Sequence, residues 1–365
     1  MLTQARAFRS VATLLGVDQQ KRLSLLNSLA EEQWLAIIAE ANNSFLGPTL
    51  YAEATRRQWI HLVPDDVRNY LAELHRLNVA RNECIREQLL ECLECFNANM
   101  IVPLLLKGAA SLPDAQDLGA RIIRDIDLLV REEDRERALQ ALTGLGYRIW
   151  TLEPAGKHAV GAFARPGDPA ALDIHHEIIA ESHLVPAASF WRACGRVDFG
   201  RAQAFVPTRA HRLLHIVMHE MVHNDAYICG SVSLRALHDF NCLMPEVPDN
   251  EWPAIDRHLT ESRAISPFAA MAYANERLLG SRQPPIPIRG LAPRMFYARS
   301  ALRRYGLLPR SINQLWMYAH KVLAGHYFDP ARHAPPLALW RIRRVMYFAR
   351  RAIARFWVTG SMTAW

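Results

Sequence analysis

Three aspartates and a lysine-glycine turn carry the chemistry this sequence can do. Asp125 and Asp127 stand one residue apart in RDIDLLV (124–130), and strand alternation sends both carboxylates to one face and Ile126 and Leu128 to the other. Two like charges side by side repel, and burying them is costly unless a cation compensates, so the pair suits a divalent metal. The plain alternative is a solvated acidic strand end. A third acid, Asp173, sits in a second short alternating stretch, ALDIHHE (171–177). Upstream, the apolar run 101–106 ends at Lys107-Gly108-Ala109-Ala110-Ser111, which reads as a strand, a glycine turn and the start of a helix. Such a turn offers backbone N–H groups to phosphate oxygens, and Lys107 adds a point charge.

These pieces occur in order: LLKGAA (105–110), Arg121, DIDLLV (125–130), LGY (145–147) and LDIH (172–175). In that order and spacing the chain resembles the nucleotidyltransferase superfamily whose fold is shared with DNA polymerase beta, in particular its branch of mostly uncharacterised bacterial proteins. The likeness spans roughly residues 80 to 240. Two positions depart from the pattern. Arg124 replaces a small residue before the first acid, which bears on access to the metal site, and Ala109 replaces a glycine or serine of the turn, which removes one hydroxyl contact to phosphate.

The resemblance implies an α+β fold: a nucleotidyltransferase-like mixed β-sheet core flanked by N-terminal and C-terminal helical regions. It also implies a reaction, transfer of a nucleoside monophosphate from an NTP, with ATP expected, to a hydroxyl on a small molecule, a peptide or a protein. Asp125, Asp127 and Asp173 would be catalytic and hold two Mg²⁺ ions about 3.5–4 Å apart, with Asp173 helping to take the hydroxyl proton. Lys107, Gly108, Ala109, Ser111 and Arg121 would hold the triphosphate. Arg235 has two readings, a substrate-facing cation or half of an i, i+4 ion pair with Asp239.

A second signal competes. His211, His215, His219 and His223 recur every four residues, a stripe that drifts about 40° per step around a helix. Within it His219-Glu220-Met-Val-His223 matches H-E-x-x-H, the pattern of a zinc metallohydrolase with the glutamate as general base. Histidine at 211 and 215 shows that this face takes imidazole without zinc, and only Glu246 and Glu251 follow as nearby acids. A packed, partly polar helix beside the nucleotide site is therefore the preferred reading. A non-catalytic nucleotide-binding protein of the same fold is the third alternative.

The elements that must position these residues follow from periodicity. Residues 1–100 read as a helical region with breaks at Pro48 and Pro64, residues 101–180 as the catalytic core, residues 181–282 as a helical region completing the cleft, and residues 283–365 as a proline-rich arm with basic helices. In the core, residues 132–143 read as a helix stopped by Gly144 and Gly146, residues 147–152 as a strand, and residues 153–170 as a hairpin or loop with Lys157 and His158 facing solvent. Half of the 365 residues are hydrophobic and 22% are charged, a globular composition. The net charge of +7 favours polyanionic partners without choosing among them, and no strong nucleic-acid signal accompanies it. The basic aromatic stretch 339–358 is a candidate for docking on an anionic membrane or a protein. Six cysteines without a disulfide framework, no apolar run near the length of a membrane span and no clear signal peptide lead to the expectation of a reducing cytoplasm; Cys84, Cys92 and Cys95 are read as buried thiols on one helix face.

Overall fold

The computed structural model describes residues 3–152, 158–288, 290–304 and 306. The chain begins with α1 Gln4–Leu15, α2 Gln19–Ser28, α3 Gln33–Asn43, α4 Gly47–Arg56 and the long α5 Asp65–Ala98. Pro48 falls in the first turn of α4 and Pro64 is the residue before α5. Both prolines therefore begin helices, where a missing N–H breaks no intrahelical bond.

Seven strands follow: β1 Leu104–Leu105, β2 Asp125–Leu129, β3 Arg148–Leu152, β4 Ala159–Ala164, β5 Ala171–His175, β6 Cys194–Phe199 and β7 Ala202–Pro207. They form one mixed sheet in the order β3-β4-β5-β2-β1-β7-β6. β2 runs parallel to β5 and β1 parallel to β7, while the remaining neighbours are antiparallel. The chain is an α+β protein with helices before, within and after the sheet. The sheet does not stop at residue 180. β6 and β7, in the stretch read as helical, pair through a turn in which Gly200 takes φ +61, and β7 bonds to β1.

The further helices are α6 Arg135–Gly144, α7 Ala187–Arg192, α8 Arg209–Met218, α9 Ala226–Cys229, α10 Leu234–Leu243, α11 Trp252–Glu261, α12 Ile265–Leu279 and α13 Ala292–Arg304. α6 includes Gly144, one residue past the expected end at Thr143, and the left-handed residue after it is Gly146 (φ +87). The proline-rich stretch buries Ile286 in the helical core before α13 begins, so its described part is a wrapping arm. The basic stretch 339–358 lies outside the described residues. Among the described residues no helix is long and apolar enough to cross a membrane.

Strand alternation divides the core. Ile126, Leu128, Leu172 and Ile174 pack with Leu89, Leu93 and Phe96 of α5 and Leu142 of α6 on one face of the sheet. Leu104, Leu106 and Leu129 face the other way, into a helical core containing Leu213, Val217, Phe240 and Phe268. Asp125, Asp127, Asp173 and His175 share the parity of Leu129, so they face the helical side. The three cysteines of α5 are not alike: Cys92 is buried and Cys95 half-buried, but Cys84 is exposed. At 100° per residue Cys84 lies 80° around the helix from Cys92, which puts it outside the buried stripe.

The N-terminal helices are tied to the later ones by charge as well as by packing. Glu53 of α4 pairs with Arg56 and Arg57 (each 2.6 Å) and lies 3.8 Å from His238 of α10. Burial opposes the charge on Glu53, but His238 and Arg56 outweigh it and hold the carboxyl at about 2; burial likewise opposes the charge on His238, and Cys242 and Glu53 lift it to about 10. Stability from Glu53 is present above the ordinary glutamate value and lost as pH falls toward 2. Stability from His238 is complete below the ordinary histidine value and lost as pH rises through about 10. The melting temperature should therefore be highest between about pH 4.5 and 6.5, the ordinary values of the two groups, and decline above. In Glu53→Gln the alkaline decline should be shallower; an unchanged profile would count against the coupling.

Candidate functional site

β2 and β5 lie side by side in a register that sets Asp127 opposite Asp173 and Leu129 opposite His175. Asp127 is fully buried. Its Oδ1 accepts from Lys107 Nζ at 2.6 Å and from His175 Nε2 at 3.0 Å, while its Oδ2 has no hydrogen-bond partner. Burial opposes ionisation of Asp127, but Lys107 and His175 overcome it and hold the carboxyl far below the usual range. Lys107 is held charged in turn: burial disfavours its cation, and Asp127 more than restores it. Asp125 and Asp173 are both shifted up, by burial and then by the charge on Asp127.

Among the described residues, Asp127, Asp173 and His175 are the group whose ligand atoms could share a metal ion, all within 4.8 Å of one another. Asp125 is not in that group. It lies two residues before Asp127 on the same face and lines the adjacent cleft. His175 is the residue the sequence reading passed over. Its signal was present in LDIH, because a histidine two residues after an acid on a strand shares that acid's face.

The turn before the site is built differently from the expected glycine turn. β1 is only two residues long, and Ala109–Ser111 forms one 3₁₀ turn where a helix was expected. The left-handed residue is Lys107 (φ +42), not Gly108, which is helical at φ −63. A side chain at Gly108 would meet Ile123 at 3.4 Å, an ordinary contact, so conformational freedom is not what glycine supplies there. Among the described residues neither the Gly108 nor the Ala109 N–H has an acceptor. Ser111 donates its hydroxyl to the Gly108 carbonyl at 2.7 Å and closes the turn.

The loop from this turn to β2 is held by α5. Asn78 donates to the carbonyls of Gly119 (2.8 Å) and Arg121 (3.0 Å), and Asn82 to those of Leu118 (2.6 Å) and Arg121 (2.7 Å). These asparagines are buried, and their bonds satisfy loop carbonyls that no strand partner reaches. His75 pairs with Asp117 at 2.9 Å, and a side chain at Gly119 would come within 2.3 Å of that imidazole. Positioning this loop is thus a role of the N-terminal helices that the sequence did not disclose.

A cleft of about 670 Å³ opens beside the turn, lined by Lys107, Gly108, Ser111, Asp125, Arg121 and Arg235 among others. Ala109 is buried behind it. Arg121 is ion-paired with Asp239, and Arg235 donates to the Ile122 carbonyl, so the i, i+4 pair expected between Arg235 and Asp239 is replaced by a link from α10 to the loop. Arg124 lies over the Phe45 ring at 5.2 Å. It is exposed and shares the cleft wall with Asp125.

The histidine stripe forms the cleft's floor. His215 and His219 line it and are held neutral, first by burial and then by the charge of Lys107, with His215 down at about 3. After α8 the helix widens: Asn224 N–H reaches back five residues to the His219 carbonyl at 2.9 Å, so HEMVH lies in a π turn. The His219 and His223 rings pack at 5.2 Å, and neither belongs to a group of ligand atoms close enough for a metal among the described residues. Glu246, read as a possible third ligand, is paired with Arg209 at 2.9 Å. His158 does not face solvent as expected. It packs against His175 (5.2 Å) and His223 (4.6 Å), because β4 brings it over the end of β5; Lys157 lies outside the described residues.

The sequence model of a family described as "Uncharacterised nucleotidyltransferase" matches residues 30–280. The chain belongs to that family. Neither a curated protein nor a solved structure matches it. The match begins inside the N-terminal helices and runs to the end of α12, so for this nucleotidyltransferase family the asparagine clamp of α5 and the floor of α8 lie within the shared unit.

The buried ion pair gives a direct stability test. Asp127→Asn leaves the Lys107 ammonium against a neutral group and should lower the unfolding free energy by about 2–3 kcal/mol, below the fully buried case because Lys107 retains some exposure. Adding Lys107→Met should recover more than half of that loss. Urea denaturation of the single and double variants measures both; equal losses would show that the pair is not coupled.

Proposed function

We propose that the protein is a divalent-metal-dependent nucleotidyltransferase that moves a nucleoside monophosphate from an NTP, with ATP the expected donor, to a hydroxyl acceptor. The observation that carries this is the pairing of Asp127 opposite Asp173, with Lys107 and the unbonded Gly108 and Ala109 N–H groups at the same end of the sheet. Family membership supports the same reading.

The residues fit a metal by their chemistry. Asp127 keeps a buried carboxylate oxygen without a partner, and Asp173 and His175 bring a further carboxylate and an imidazole within reach. Carboxylate oxygens suit Mg²⁺, whereas the imidazole nitrogen widens the preference toward Mn²⁺. A bound divalent ion would supply Lewis-acid charge to the reacting phosphate.

The chain's own residues do the remaining work. Gly108 and Ala109 donate N–H groups to the triphosphate, and Lys107, Ser111, Arg121 and Arg235 supply cations and a hydroxyl around it. Asp125, at the cleft wall, and Asp127, two residues further along the same strand face, would together present the negative charge that favours a divalent ion there. The acceptor oxygen forms a bond to the α-phosphorus as the bond to the bridging oxygen breaks. Pyrophosphate leaves, and the hydroxyl proton passes to Asp173.

Incubation with α-labelled NTP, a panel of hydroxyl acceptors and Mg²⁺ or Mn²⁺ tests this. Labelled product and pyrophosphate should appear, stop on chelation and return with added metal. Asp125→Ala and Asp173→Ala should each fall at least about 10²-fold while retaining the wild-type circular dichroism. Undiminished turnover in Asp173→Ala would refute the assigned site. Nucleotide binding without pyrophosphate release for every acceptor would instead mark a binding protein of this fold.

A further inference from the structure

Most charged groups around the cleft have an ion pair, a hydrogen bond or a ring as partner among the described residues; Asp125, on the proposed metal face, and Arg212 have none. Asp239 is taken by Arg121, Glu246 (2.9 Å) and Asp114 (3.5 Å) by Arg209, Asp117 by His75, and Glu53 by Arg56 and Arg57. Lys107 is paired with Asp127, Arg235 is bonded to the Ile122 carbonyl, and Arg124 rests on Phe45. Arg212 lines the same cleft, and its buried Nη1 has no hydrogen-bond partner among the described residues. Burial and the neighbouring Arg209 press against its charge, lowering it to about 10, still cationic at neutral pH.

Arg212 is half-buried, and its Nη1, shielded from water without a partner, costs free energy as any buried N–H left unbonded does. A cation with a planar fork of donors suits a carboxylate or phosphate, which it can grip with two parallel bonds.

Along α8, Arg212 lies away from Lys107 but not from the whole of the proposed triphosphate grip. The charges felt at Arg212 are those of Arg209 and Glu246, then of Arg121, which that grip shares, and of Asp114. Lys107 acts on His215 and His219, one and two turns further on. Lys107 and the unbonded Gly108 N–H thus lie in one part of the cleft and Arg212 in another, where Arg209 is already paired with Glu246 and Asp114.

We propose that Arg212, with Arg209 beside it, is the receptor for an oxyanion on the second substrate, so that the hydroxyl acceptor is itself a carboxylic acid or a phosphorylated compound. The assignment to an acceptor rests on the nucleotidyltransferase reading; the existence of the anion subsite does not.

The test uses the full chain saturated with Mg²⁺ and a non-hydrolysable NTP analogue, into which inorganic phosphate or, in a separate arm, acetate is titrated calorimetrically. One of the two anions should bind the loaded protein, identifying the acceptor's charged group, and Arg212→Ala should weaken it by about tenfold or more. Arg212→Lys, which keeps the charge but not the fork, should fall between. The analogue's own affinity should change less than about twofold in Arg212→Ala, and the melting temperature should not fall, because Arg212 has no ion pair or hydrogen bond to lose among the described residues. Absence of anion binding, an equal loss of analogue affinity, or a melting temperature several degrees lower would overturn the proposal; the second outcome would move Arg212 to the triphosphate and the third would make it structural. Should the analogue not bind wild type at all, the nucleotidyltransferase reading fails separately. Phosphate and acetate are then titrated onto the nucleotide-free chain, where loss in Arg212→Ala upholds the subsite and equal binding, or none, overturns it.

Discussion

The buried contact between Lys107 and Asp127 is the constraint on which the rest of the site depends. Desolvating either charge alone is prohibitive, and together they are tolerable only with close geometry and extra hydrogen bonds. The structure provides both, a 2.6 Å contact and a further bond from His175. The demand is visible in the backbone. Lys107 adopts a left-handed conformation that a non-glycine residue holds only when its surroundings enforce it, and β1 ends after two residues so that the side chain can turn onto the sheet face.

That geometry has to be held from outside the sheet. The loop between the turn and β2 has carbonyls that pair with no strand, and α5 supplies Asn78 and Asn82 to meet them. Arg81 bonds the Ile123 carbonyl and, at 3.0 Å, that of Pro169, joining the approaches to β2 and β5. One helix thus fixes the two strands whose register brings Asp127 and Asp173 together. On the opposite wall the histidines of α8 remain uncharged, so they pack beside Lys107 without adding repulsion. This gives His215 and His219 a physical role as uncharged neighbours of Lys107 along the cleft, and the π turn brings the His219 and His223 rings together.

Charge matching around the cleft separates structure from function in the same way. Pairs such as Arg121 with Asp239 and Arg209 with Glu246 fasten the loop and the helices to each other. The unbonded Nη1 of Arg212 serves no such purpose, and the unbonded Oδ2 of Asp127 serves none either. Each is a buried polar atom whose missing bond costs stability, and each is assigned above to a proposed ligand of opposite charge.

The sequence by itself determined the helical N-terminal region, the strands at 125–129 and 171–175, the face shared by Asp125 and Asp127, and the α+β class, because each rests on local periodicity or on a short ordered motif. It also contained His175, through its spacing from Asp173. What only the tertiary structure decided was which distant groups meet. β6 (CGRVDF) and β7 (AQAFVP) lack a clean alternation of apolar and polar residues, and they are recognisable only once β1 accepts β7. Asp239 could pair with Arg235 on its own helix or with Arg121 across the cleft, and spacing cannot rank a local partner against one 118 residues away. Likewise an asparagine on a long helix looks the same whether it meets water or a loop carbonyl. Periodicity records the environment of a face, whereas the partners of a polar group are set by the packing of elements far apart in the chain.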